Sequence, residues 1–80
     1  MESSIFSQIL RDLISSRGVN QSWLADKADT TEATISRYVK DKTVPEIPIV
    51  IRIARAFNVS VDYLFGLTNA AVPRDRKSVV

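Results

Sequence analysis

Apolar positions recur along this chain at helical rather than strand spacing. Residues 4 to 17 place Ile5, Phe6, Ile9, Leu10, Leu13 and Ile14 on one face, with Ser3 or Ser4 available as a cap and Gly18 as the C-terminal stop. The stretch from Asn20 to Lys42, NQSWLADKADTTEATISRYVKDK, divides into two shorter amphipathic helices joined by a tight turn. In the first, Leu24, Ala25 and Ala28 fall at i, i+1 and i+4, and Asn20 can cap the free amides of the opening turn. In the second, Thr31 can cap a helix whose apolar residues Ile35, Tyr38 and Val39 are spaced i, i+3, i+4. Its opposite face carries Glu32, Ala33, Ser36, Arg37 and Lys40, so this helix can dock by one side and present the other.

Asp41 to Pro48 reads as a loop, with two prolines against continuation. Ile47, Val50, Ile51, Ala54 and Phe57 then form a fourth stripe, closed near Asn58, a residue that tolerates the left-handed conformation. The run IPIVIRI has the β-branched character of a strand, but its i, i+3, i+4 spacing favours a helix. Ser60 caps a last short helix carrying Val61, Leu64 and Phe65, stopped by Gly66. No segment alternates like a turn-flanked strand, so the expected class is all-α with five helices. From Asn69 the character changes: NAAVPRDRKSVV has no stripe, contains Pro73 and ends in a basic cluster. Residues 1–68 are therefore expected to form the domain, and 69–80 a flexible basic tail or the start of a linker. A disordered end, a phosphate-contacting arm and a bridge to a C-terminal domain all fit that tail.

Composition narrows the chemistry. A chain of 80 residues is one small module, and folding at this size buries only about 60–65% of the unfolded surface, which disfavours a large cofactor cavity. No cofactor is expected. Without Cys there is no disulfide scaffold, and without His as well there is no conventional zinc site, so a reducing, intracellular setting is expected. Met1 leads into a polar ESS, and no apolar run approaches the roughly 20 residues of a membrane span, which argues against signal-peptide and membrane readings. The hydroxyls have no evident base and the acids are scattered or placed as caps, so an enzyme is not expected. Charge total says little: residues 1–73 hold eight basic and eight acidic side chains, and Arg74, Asp75, Arg76 and Lys77 supply the whole net charge of +2. Any affinity for nucleic acid must rest on where charges lie, as with Arg37, Lys40 and Lys42, offset locally by Glu32 and Asp41.

The central segment resembles the helix-turn-helix of the phage repressor and Cro family, the XRE-type regulators. The resemblance rests on Gln21, Leu24, Ala25, the turn Asp29 to Thr31, the run Thr34, Ile35, Ser36, Arg37, and Pro45. It continues through Ile53, Ala54, Ala56, Phe57 and the closing Val59, Ser60, Val61, Asp62, Tyr63, Leu64, and covers roughly residues 5 to 67. It implies a compact five-helix lambda-repressor-like domain. It also implies a sequence-specific regulator of transcription, of phage or prophage repressor type, in the cytoplasm of a prokaryote or of a phage-infected cell. Such a protein would bind an inverted repeat in double-stranded DNA as a homodimer, through a recognition helix at 31–40. An alternative is an antitoxin-type protein-interaction module whose DNA binding is autoregulatory.

Carried over by position, Glu32, Ala33, Ser36 and Arg37 fall at or beside the base-reading positions. Arg37 can bond bidentately to a guanine, Glu32 can accept from a cytosine amino group, and Ala33 can meet a thymine methyl. Glu32 is equally suited to complement the helix dipole as a first-turn acid. Asn20, Gln21, Thr31, Lys40, Lys42 and Thr43 fall where the family contacts phosphates, and Phe65 and Leu67 where it pairs. Three positions depart from the pattern: Asp29 and Asp41 stand where glycines are common, and Val39 where an acid is frequent. With Ile14 opposite Val39, an acid-to-arginine pair found in some relatives is expected to be absent. Trp23 replaces a usually polar residue; packing under the first helix, lying against a sugar-phosphate edge and meeting a partner all remain open, with partial burial favoured.

Overall fold

Every helix of this protein starts and stops on a recognisable local device. The structure, a computed structural model, describes residues 4–68. The tail read at 69–80 lies outside the described residues, as does Ser3, one of the two caps considered for the first helix. Five helices run in order: α1 Ile5–Ser16, α2 Gln21–Lys27, α3 Glu32–Val39, α4 Ile47–Phe57 and α5 Val61–Leu64, with no strand among the described residues. Four begin on a side chain that accepts from the amide three residues on: Ser4 from Ser7, Asn20 from Trp23, Thr31 from Thr34 and Ser60 from Tyr63. Each such cap satisfies one of the four amides a helix start leaves free. The exception is α4, which has no side-chain cap but carries Pro48 in its first turn, where a missing N–H costs nothing.

All five C-termini close by the same pair of hydrogen bonds. In α1, Val19 N donates to Ile14 O and Gly18 N to Ser15 O; the same i→i−5 and i→i−3 pair recurs after α2, α3, α4 and α5. This is the Schellman arrangement, and it requires one residue in the left-handed region. Glycine supplies it twice, at Gly18 and Gly66, while Asp29, Asp41 and Asn58 supply it at φ of 57°, 60° and 57°. Both aspartates expected to stand in for glycine therefore do so.

Phe6, Leu10, Leu13, Leu24, Ile35, Ile53, Phe57 and Leu64 meet in one core with Ala25, Ala28, Tyr38, Val50, Ala54 and Val59. At about 25 cal/mol per Å² of apolar surface removed from water, this burial is what makes helices as short as these persist. The expected stripe of α4 needs correction. Val50, Ala54 and Phe57 are buried, but with Ile49 and Ile53, whereas Ile47 and Ile51 are 62% and 37% exposed. The first five residues of α4 are apolar on all sides, so two overlapping stripes were available. The inward one is that lying opposite Arg52 and Arg55, whose charged ends must stay in water. Ile5, expected on the inner face of α1, is likewise half exposed. No described helix is long and apolar enough to cross a membrane.

Candidate nucleic-acid interface

The two central helices form one rigid corner. Leu24, Ala25 and Ala28 of and just after α2 and Ile35 of α3 are buried together, and α2 packs more extensively on α3 than on any other helix. The corner between them, Ala28 to Thr31, is short because Asp29 reverses the chain in a single left-handed residue, with Thr30 N returning to Ala25 O at 2.9 Å. Thr31 Oγ1 then accepts Thr34 N–H at 3.1 Å and lies 2.9 Å from Thr34 Oγ1, so the start of α3 is held by two hydroxyls.

This leaves one face of α3 to solvent. Glu32, Ala33, Arg37 and Lys40 are exposed and Ser36 is half-buried at the edge of the stripe, so the expected reading positions do share a surface. Lys42 and Thr43 are exposed on the segment after α3 and extend the same end. Of the expected phosphate contacts in α2, Asn20 is exposed and Gln21 half-buried. Asn20 Oδ1 is occupied by Trp23 N–H at 2.8 Å, which leaves its amide nitrogen as the outward donor. Glu32 opens α3 as its first-turn acid and stays exposed, compatible with both roles considered for it.

The back of α3 is tied down at points that side-chain spacing does not mark. Tyr38, expected as a core residue, is buried with its ring edge-on to Phe6, and its hydroxyl also accepts Glu46 N–H at 3.0 Å, which fixes the entry to α4. Asp41 not only takes the left-handed position but accepts Ser4 N–H through Oδ2 at 3.0 Å. Arg11 Nη1 donates to Val39 O at 2.9 Å. Val39 and Ile14 are both partly buried apolar residues, as expected from the missing ion pair. The arginine that serves α3 is one helical turn earlier in α1, and its partner is a carbonyl.

Trp23 is half-buried, its partner being Phe57 of α4 at 5.7 Å between ring centroids. Lys27 Nζ lies 5.9 Å from the indole centroid and Arg17 Cζ 5.7 Å from that of Phe57, so cations flank both rings at the range where ring quadrupoles attract them. At the other end of the domain Phe65 stacks on Phe6 at 5.2 Å and is half-buried, while Leu67 is 75% exposed. Phe65 also lines an apolar depression with Ile5, Phe6, Val44 and Pro45.

A capped corner helix, a second helix seated by one face and bare on the other, and three supporting helices define a helix-turn-helix domain. A family model for this helix-turn-helix matches residues 10–64, and the chain belongs to that XRE-type family. It is similar to the uncharacterized HTH-type transcriptional regulator YobD of Bacillus subtilis (strain 168), with 29% identity over 76 residues that span 94% of this chain and 68% of that protein. Among solved structures it resembles a transcriptional regulator from Listeria innocua, with a TM-score of 0.72 and 27% identity across 92% of this chain and 68% of that one.

Proposed function

We propose that this protein is a regulator of transcription that binds double-stranded DNA in a sequence-specific manner, with α3 in the major groove. The observation that carries this reading is the bare face of α3, where Glu32, Ala33 and Arg37 stand together on a helix whose opposite face is sealed into the core. Arg37, with Ser36 beside it, reads a guanine, a contact worth about 1–3 kcal/mol of discrimination. Asn20, Gln21, Thr31, Lys40, Lys42 and Thr43 contact phosphates on either side and set the register. Residues 1–68 make up the DNA-binding unit, with 69–80 as a basic tail or linker start. The resemblance to phage repressors supports repression through an inverted-repeat operator.

One eight-residue reading helix covers too few base pairs to select a site in a genome, so the protein acts as a two-fold dimer with half-sites about 34 Å, or a multiple of that, apart. Leu67 and the exposed edge of Phe65 are the proposed contacts, with Ile5 and Val44 around the same depression. Selection from random duplexes tests both levels, because an inverted repeat among the winners supports the dimer and no enrichment overturns DNA recognition. On the selected site Arg37→Ala loses discrimination, whereas Lys42→Ala weakens all duplexes equally and lowers the salt slope by about 0.9. Equal loss on selected and scrambled duplexes for Arg37→Ala removes it as a reader.

A further inference from the structure

We infer that Arg11, in α1 and outside the helix-turn-helix, is a positioning residue for DNA recognition: it fixes the C-terminal end of α3 and thereby the placement of Arg37 relative to Lys42. The inference rests on the DNA-binding reading above.

The carbonyls at the end of α3 point there. A helix leaves its last four carbonyls without intrahelical partners. In α3, Ser36 O accepts Lys40 N–H as an ordinary helical bond, and the Schellman turn provides for Arg37 O, which accepts Lys42 N–H, and Tyr38 O, which accepts Asp41 N–H. Val39 O lies beyond the reach of this turn, and it accepts from Arg11 Nη1 at 2.9 Å. The last carbonyls of α1, α2 and α4, those of Ser16, Lys27 and Phe57, receive no such side chain among the described residues. A guanidinium at this end also opposes the negative pole of the helix.

The consequence for recognition follows from which groups share the turn. The hydrogen bond from Lys42 N to Arg37 O at 2.8 Å couples the proposed base reader directly to the proposed phosphate contact. That coupled turn would swing as a unit on so short a helix unless something outside held it. Two bonds from α1 and its cap do so: Arg11 onto Val39 O, and Ser4 N–H onto the carboxylate of Asp41, the residue whose left-handed backbone makes the turn. A bidentate base contact is far less tolerant of misplacement than attraction between a flexible lysine and a phosphate. Loosening the turn therefore removes selectivity before it removes affinity.

The test uses the full 80-residue chain, its selected site and a scrambled duplex, with Arg11→Met and Arg11→Lys. Arg11 is exposed, so neither variant disturbs the core. Arg11→Met is expected to bind the selected site about five- to tenfold more weakly, the low end of one base contact, with scrambled-duplex affinity and salt slope unchanged. In the free protein, amide exchange should quicken at Asp41 and Lys42 but not at Thr30, which closes the equivalent turn after α2. Arg11→Lys, which keeps a donor and the charge, should restore most of the selectivity. Equal weakening on both duplexes with the slope lower by about 0.9 would make Arg11 a phosphate ligand instead, and overturn the inference. Unchanged selectivity overturns it too. A wild-type chain that prefers no sequence overturns the DNA-binding reading itself, and shows this before any variant is made.

Discussion

Asp29 and Asp41 occupy the same backbone conformation for the same reason, yet replacing each with glycine should give different results. Both sit near φ +60° at the close of a helix. That region costs an ordinary L-residue roughly 1–2 kcal/mol, and aspartate somewhat less, whereas glycine enters it freely. Glycine gives back about 0.4–1 kcal/mol through the entropy of the unfolded chain. For Asp29→Gly the balance is a stabilisation of about 0.5 kcal/mol, or roughly 2–4 °C in melting temperature for a domain of this size. Asp41→Gly gains the same relief but loses the acceptor for Ser4 N–H, an exposed bond at 3.0 Å worth about 0.5–1 kcal/mol. Its melting temperature should stay level or fall slightly. Thermal and urea unfolding of the two variants settle the comparison, repeated at high salt because Asp29 lines one surface depression with Lys27, Arg52 and Arg55. If both variants gain equally, the Asp41 carboxylate holds nothing; if Asp29→Gly melts below wild type at high salt, the corner is not strained.

Three further outcomes follow from particular contacts. Tyr38→Phe leaves Glu46 N–H without its acceptor and should lower stability by about 1–2 kcal/mol in urea titration, because the hydroxyl belongs to a buried residue. Asn20→Ala removes the cap of α2 and should cost about 1 kcal/mol by the same measurement, with Asn20→Asp close to wild type. Gly66→Ala places a Cβ 2.6 Å from Ile5 Cγ2 as well as straining a φ of 74°, whereas at Gly18 nothing lies within 4 Å. Unfolding should therefore show the larger loss at Gly66, by about 1 kcal/mol or more, and equal losses would mean that Ile5 gives way freely.

What could be read from the amino-acid order, and what could not, divides along a physical line. Helix starts and stops were legible because they depend on the identity of a single side chain: Ser4, Asn20, Thr31 and Ser60 accept from the amide three residues on, and Asp29 and Asn58 take the left-handed corner. The exposed stripe of α3 was legible because polar and apolar residues alternate there with helical period. The phase of α4 was not, since IPIVI presents an apolar surface in every direction and only packing chooses among them. The contacts that Arg11, Ser4 and Glu46 make to this region were not legible for another reason. Each makes its contact to α3 or its turn through a backbone group at one end, and a carbonyl or amide leaves no mark in a sequence.

The same division explains how such a domain can change what it recognises without losing its fold. An isolated helix of eight residues is far below the length at which helices persist in water, so the stability of α3 is borrowed from its surroundings. Ile35 and Tyr38 supply the buried contacts, Thr31 closes the front, and Arg11, Asp41 and the Tyr38 hydroxyl fasten the back. None of these is Glu32, Ala33, Ser36 or Arg37. Exposed side chains on that stripe contribute little to folding, and substitutions there usually shift stability by no more than about 0.5 kcal/mol. On the proposed reading, selectivity and stability thus reside on opposite faces of one short helix. Contacts at the back, Arg11 above all, are where the two remain coupled, because they hold the frame from which the outer face is presented.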